Sequence, residues 1–113
     1  MKFIIAVIQP DRMPEVLEEL EKVDVHLVTV TQVMGRGRQK GIAEVYRGHK
    51  EAGSLLRKVK LEMAVNDDYV QRTIDAVVKG ARTGNIGDGK IMVLDLSHVV
   101  RIRTGETGSV AIG

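Results

Sequence analysis

Cysteine and tryptophan are absent from this sequence, phenylalanine occurs once and tyrosine twice. Without cysteine there is no disulfide, no zinc–thiolate site and no thiol nucleophile. With Phe3, Tyr46 and Tyr69 as its only aromatics, the chain lacks the stacking platforms on which single-strand nucleic-acid binders rely. No apolar run reaches the roughly 20 residues that span a bilayer. Residues 1–8 are apolar, but Pro10 and Asp11 follow at once, so they read as a buried strand rather than a signal peptide. A strong charge of one sign is also missing: 17 basic against 15 acidic residues leave a net charge of +2, too small to demand a polyanionic partner. These absences leave a cytoplasmic protein as the expectation. Its 113 residues fit a single domain with a modest core.

The patterning that is present alternates between strand and helix. Residues 2–9 form a short β-rich run closed by Pro10 and Asp11. Met13, Val16, Leu17 and Leu20 then recur at helical spacing, with Glu15, Glu18, Glu19 and Glu21 on other faces. Pro14 is tolerable there only in the first turn. Residues 25–34 are β-branched and predict a second strand. Residues 58–65 alternate polar and apolar, which predicts a third strand with one buried face. Asn66, Asp67 and Asp68 are N-cap candidates for a helix marked by Val70, Ile74, Val77, Val78 and Ala81, with Gly84 as its stop. A glycine-rich turn leads to a fourth strand over 91–96, residues 99–103 are a candidate short fifth, and the small, polar segment 104–113 is expected to be flexible.

Strand–helix–strand, long loop, strand–helix–strand implies a ferredoxin-like α+β sandwich, a four-stranded antiparallel sheet with both helices on one face. Its other face would carry Phe3, Ile5, Met63 and Met92. Apolar residues there imply association between subunits through the sheet face.

Chemistry concentrates in two glycine-rich stretches. In the first, Gly35, Gly37 and Gly41 alternate with Arg36, Arg38, Gln39 and Lys40. Flexible backbone with free N–H groups and fixed positive charge suits an anion such as a phosphate. A solvated basic hairpin loop is the other reading of that segment. In the second, Gly87, Asp88 and Gly89 precede Lys90. Arg101 and Arg103 stand two apart, on one side of the chain if it is extended there. Together these cations suit a triphosphate better than a single carboxylate, although neither stretch is a Walker loop. A β-turn with surface arginines is the plainer alternative. His26, His49 and His98 show no metal spacing, and no nucleophile stands with a base, so an enzyme is not expected.

These motifs resemble the PII nitrogen-regulatory signal-transduction family. The resemblance rests on Thr29-Val30-Thr31, the Gly35 to Gly41 stretch, Glu44 with Tyr46-Arg47-Gly48, Lys58-Val59-Lys60, Ala81 with Thr83-Gly84, Ile86-Gly87-Asp88-Gly89-Lys90 and Arg101-Ile102-Arg103-Thr104-Gly105, and it covers the whole chain. It implies a homotrimer that binds ATP or ADP in clefts between subunits. The matching nucleotide positions are Thr29, Gly37, Arg38, Glu62, Ala64, Gly87, Asp88, Gly89, Lys90, Arg101 and Arg103. It further implies 2-oxoglutarate held with Mg2+ beside ATP, with Gln39 as metal ligand, Lys40 and Gly41 around the effector, and Lys58 on its distal carboxylate. It also implies that the loop at about 37–57 is a partner-binding arm, with Tyr46, Arg47 and Glu51 in contact with targets. Such targets are an ammonium transporter or a nitrogen-metabolism enzyme, with a membrane reached only through the partner and no nucleic acid bound.

The departures fall on that arm. Glu51 stands where the family has a tyrosine that is uridylylated, and a glutamate cannot carry that modification. His49 stands at a serine phosphorylated in cyanobacterial members, and Leu55, Arg57 and Arg36 replace the usual Phe, Pro and Phe. A regulator specialised for nitrogenase or carbon uptake, a slow ATPase using the same cleft, and a basic nucleic-acid-binding module are the competing readings.

Overall fold

A computed structural model describes residues 1–37 and 55–113. Arg38, Gln39, Lys40, Gly41, Tyr46, Arg47 and Glu51 lie outside the described residues. The elements run β1 (Lys2–Ile8), α1 (Met13–Lys22), β2 (Thr29–Gly35), β3 (Leu56–Val65), α2 (Val70–Ala81) and β4 (Gly89–Asp95), with short 3-10 turns at Pro10–Arg12, Asp67–Tyr69 and Gly108–Ala111. The sheet order is β2-β3-β1-β4, and each neighbouring pair is antiparallel. Each helix crosses over one strand, the ferredoxin-like arrangement the alternating elements imply.

Period-two burial builds the core. Ile4, Ala6 and Ile8 of β1 and Val59, Leu61, Met63 and Val65 of β3 face the helices. They meet Val16 and Leu20 of α1 and Ala76, Val77 and Ala81 of α2. Met63 pairs across the ladder with Ile4 and is 1% exposed. It therefore belongs to the helix side, not to the open face assigned from the sequence. The buried face of α2 is Thr73, Ala76, Val77, Gly80 and Ala81. At Gly80 a Cβ would lie 2.7 Å from the Val16 Cα, so the missing side chain is what lets the two helices approach.

Several boundaries shift. Residues 25–28 are not strand, because α1 ends in a Schellman motif. Asp24 takes φ 63°, its N–H donates to the Glu21 carbonyl, and the Val25 N–H donates to the Leu20 carbonyl at 3.0 Å. Val25 is buried by that turn rather than by strand pairing. None of Asn66, Asp67 and Asp68 caps α2 through its side chain. Instead, a 3-10 turn feeds the helix, and the Asp67 carboxylate accepts from the N-terminal ammonium at 2.7 Å.

Residues 99–103 do not form a fifth strand. A single bridge joins Val100 to Thr107, and the chain turns between them, so Arg101 and Arg103 are not neighbours along an extended strand. Beyond Thr104 the chain closes this turn and ends in the Gly108–Ala111 helix, with Ala111 buried.

Candidate functional site

The ladder registers set out the open face in rows. One row across the sheet is Thr29, Glu62, Ile5 and Met92; the next is Thr31, Lys60, Val7 and Lys90. Phe3, Ala64 and Leu94 form the row before these. Apolar residues remain on this face, and Met92 and Leu94 are 40% and 48% exposed.

At the Lys90 end of the rows a groove of about 550 Å³ opens, within the range of small-molecule sites. Gly37, Lys58, Gly87, Gly89 and Lys90 all line it, with Arg36. Backbone geometry explains the glycines. Gly87 and Gly89 take φ 103° and 106°, a region closed to most side chains. Lys58 donates to the Gly87 carbonyl at 3.4 Å, and burial lowers its pKa below the usual 10.5. The turn before β4 is also held from the far side, where the Gln9 amide donates to the Gly87 carbonyl at 2.8 Å.

Asp88 stands apart from this groove. Its carboxylate accepts from the Thr83 hydroxyl, from the Thr83 N–H at 2.8 Å and from the Gly84 N–H at 2.9 Å. The Thr83 hydroxyl and then these two amides hold its pKa below the ordinary value. An acid facing a phosphate would repel it, whereas one spent on the turn shapes the loop that presents Lys90.

Thr29, Glu62 and Ala64 share a second hollow with Phe3, Val99, Ala111 and Ile112. Thr29 and Glu62 are direct cross-strand partners. Within one chain the two hollows are separated. β4 runs from Gly89, beside Ile8, to Asp95, beside Lys2, a length of about 20 Å. Arg101 and Arg103 therefore follow from the end of the sheet away from Lys90, and neither lines the Lys90 groove. Arg101 donates to Glu106 and to the Val110 carbonyl, each at 2.9 Å.

Of the residues matched to nucleotide positions, Gly37, Gly87, Gly89 and Lys90 thus converge, joined by Lys58, which the resemblance gives to the keto-acid, while Arg101 and Arg103 of the same chain do not join them. Gln9 and Glu106 were missed. Gln9 meets a turn 78 positions away, and no local pattern marks such a residue. Glu106 lay in a segment expected to be flexible. Among the described residues no group of three His, Asp or Glu side chains converges as a metal site.

The family model described as "Nitrogen regulatory protein P-II" matches residues 1–106. The chain belongs to the P-II family. The nitrogen regulatory protein P-II 2 of Methanothermobacter thermautotrophicus is 50% identical over 112 residues, covering 99% of this chain and 97% of the relative. GlnK of Escherichia coli K12 is 46% identical over 112 residues, covering 99% and 100%. Among solved structures, Arabidopsis thaliana PII bound to citrate superposes with a TM-score of 0.80 at 37% identity, covering 98% of this chain and 88% of that one. The resemblance read from the glycine and arginine motifs holds over nearly the whole chain, and these P-II relatives carry the names of regulatory proteins rather than enzymes.

Proposed function

We propose that this chain is a P-II-type sensor that binds ATP or ADP and, with Mg-ATP, 2-oxoglutarate, and that passes the result to a target protein. The convergence of Gly37, Lys58, Gly87, Gly89 and Lys90 on one groove carries this reading. Two positive-φ glycines open the backbone to an oxyanion, and Lys90 adds a point charge. The donor set is cationic and amide-rich, and Asp88 is turned to its own loop, which fits a polyphosphate.

Thr29, Glu62 and Ala64 would take the base. Arg101 and Arg103, at the other end of the same chain, would reach the phosphates of a ligand seated in a neighbouring copy. A homotrimer associated through the half-covered apolar sheet face would build such clefts. Arg38 would add a phosphate contact.

Gln39 would supply the one protein oxygen to a magnesium otherwise held by phosphate and keto-acid oxygens, a hard-ligand set suited to that ion. Lys40, Gly41 and Lys58 would surround the keto-acid. The Arabidopsis relative's bound citrate, also a polycarboxylate, supports an effector of this class. Tyr46, Arg47 and Glu51 would meet the target. The GlnK names among the relatives support an ammonium transporter, with a nitrogen-metabolism enzyme as the alternative. Glu51 leaves no tyrosine there to modify. No helix among the described residues is long and apolar enough to cross a membrane, in keeping with a cytoplasmic regulator that meets membranes through a partner.

Calorimetric titration tests the reading. ATP should bind the wild type, and 2-oxoglutarate should bind only with both Mg2+ and ATP. Lys90→Ala should weaken ATP about tenfold or more, the loss of one charge-assisted contact. Unchanged affinity in that variant would refute the assigned groove. Phosphate release well above background would make the chain an ATPase.

A further inference from the structure

The guanidinium of Arg101 already holds an anion. Its Nη1 donates to Glu106 Oε1 and its Nη2 to the Val110 carbonyl, both at 2.9 Å. The backbone closes around the same pair. The Arg101 N–H donates to the Glu106 carbonyl at 2.9 Å, the Gly105 N–H to the Arg101 carbonyl at 2.8 Å, and the Gly108 N–H to the Val99 carbonyl at 3.0 Å. The Thr104 hydroxyl donates to the same Glu106 oxygen at 2.8 Å and accepts the Glu106 N–H at 3.2 Å. Glu106 is thus placed from two sides, and its carboxylate takes the guanidinium edge that a phosphate oxygen uses.

We propose that Glu106 is a built-in competitor for the nucleotide's phosphate at Arg101, so that it sets nucleotide affinity and ties ligand binding to release of the segment that follows Thr104. The proposal rests on the reading of Arg101 as a phosphate ligand. Exposure suits the exchange: the side chains of Arg101 and Glu106 are 31% and 44% exposed. A pair so open to water parts at modest cost, whereas a deeply buried pair would lock the arginine.

The competition is also unequal. The described carboxylate contact uses one nitrogen, while a phosphate carries more charge and accepts the guanidinium fork. Once a phosphate is seated, the Glu106 carboxylate is left facing like charge. It then withdraws, and the Val110 carbonyl contact on the other edge goes with it. Arg103 is exposed and has no ion-pair partner among the described residues, so the competition acts through Arg101 alone.

The test is ATP titration of the full chain in four forms: wild type, Glu106→Gln, Glu106→Asp and Arg101→Ala, with Glu106→Gln repeated in the Arg101→Ala background. Removing the charge should tighten ATP about two- to fivefold, the scale of an exposed ion pair. The shorter Glu106→Asp carboxylate, drawn back from Arg101, should give a smaller gain in the same direction. The Glu106→Gln gain should vanish when Arg101 is absent, and circular dichroism should show each variant folded. If the wild type binds ATP and Arg101→Ala weakens it while Glu106→Gln and Glu106→Asp leave affinity unchanged or lower it, Glu106 supports the site instead of competing with its ligand, and the proposal falls. If Arg101→Ala binds ATP as well as the wild type, the assignment of Arg101 to phosphate falls, and the competition with it.

Discussion

Gly89 lies against Val7 so closely that a Cβ at Gly89 would stand 1.8 Å from the Val7 carbonyl oxygen. The contact joins the first residue of β4 to β1 at the rim of the groove, and the φ of 106° at Gly89 is itself hostile to a side chain.

Gly89→Ala should therefore cost about 3 kcal/mol or more, since backbone strain and a backbone clash act together. Thermal unfolding checks the stability. A groove-directed ligand titration checks the second effect, because an opened β4 start displaces Lys90. Gly84→Ala, in open space though also at positive φ, should cost less, on the order of 1–2 kcal/mol.

Asp24→Gly should stabilise the fold. Asp24 occupies the left-handed position of the Schellman motif that ends α1, where glycine carries no Cβ penalty. The gain is about 0.5 kcal/mol after the entropy of the unfolded glycine is subtracted, a rise of about 2–4 °C in Tm. No change or a fall in Tm would mean that the 3.6 Å contact from Asp24 to His26 outweighs the backbone.

His26 should titrate above its ordinary value of 6.5, chiefly because Nδ1 bonds the Glu21 carboxylate at 2.8 Å. Glu21→Gln should bring the midpoint down, as read from the imidazole proton shifts in NMR. A raised folded pKa contributes stability that is full below 6.5 and fades as pH rises through the folded value. The wild type should therefore lose a small increment of stability as pH rises from 6.5 through the folded value, a loss that Glu21→Gln should diminish.

Where side-chain period carried the information, the fold was legible. Lys58 to Val65 alternate with Ala64 as the one lapse, and β3 has the single buried face those residues describe. Met63 shows the limit: it was named with Phe3, Ile5 and Met92 on the open face, whereas parity with Val59 and Leu61 puts it in the core. Small residues were harder still. Thr73, Ala76 and Gly80 are buried on α2, yet none was among the apolar residues that marked the helix in the sequence. Turns held by backbone left no trace in residue type. The Asp24 corner delayed the start of the expected second strand to Thr29, and the bridge from Val100 to Thr107 turned a supposed strand into a loop. At the site, the glycines and Lys90 announced themselves through backbone chemistry, whereas Gln9 and Glu106 became visible only through distant or folded partners.

Strand β4 sends Lys90 and the arginine pair to opposite ends of one chain, and this bears on inheritance as well as on binding. On the proposed assembly, a lesion at Lys90 and a lesion at Arg103 spoil different halves of a cleft. Two defective genes of these kinds, expressed in one cell, would complement each other: random mixing of their products rebuilds about a quarter of the clefts from two sound halves. Two lesions at the same end rebuild none.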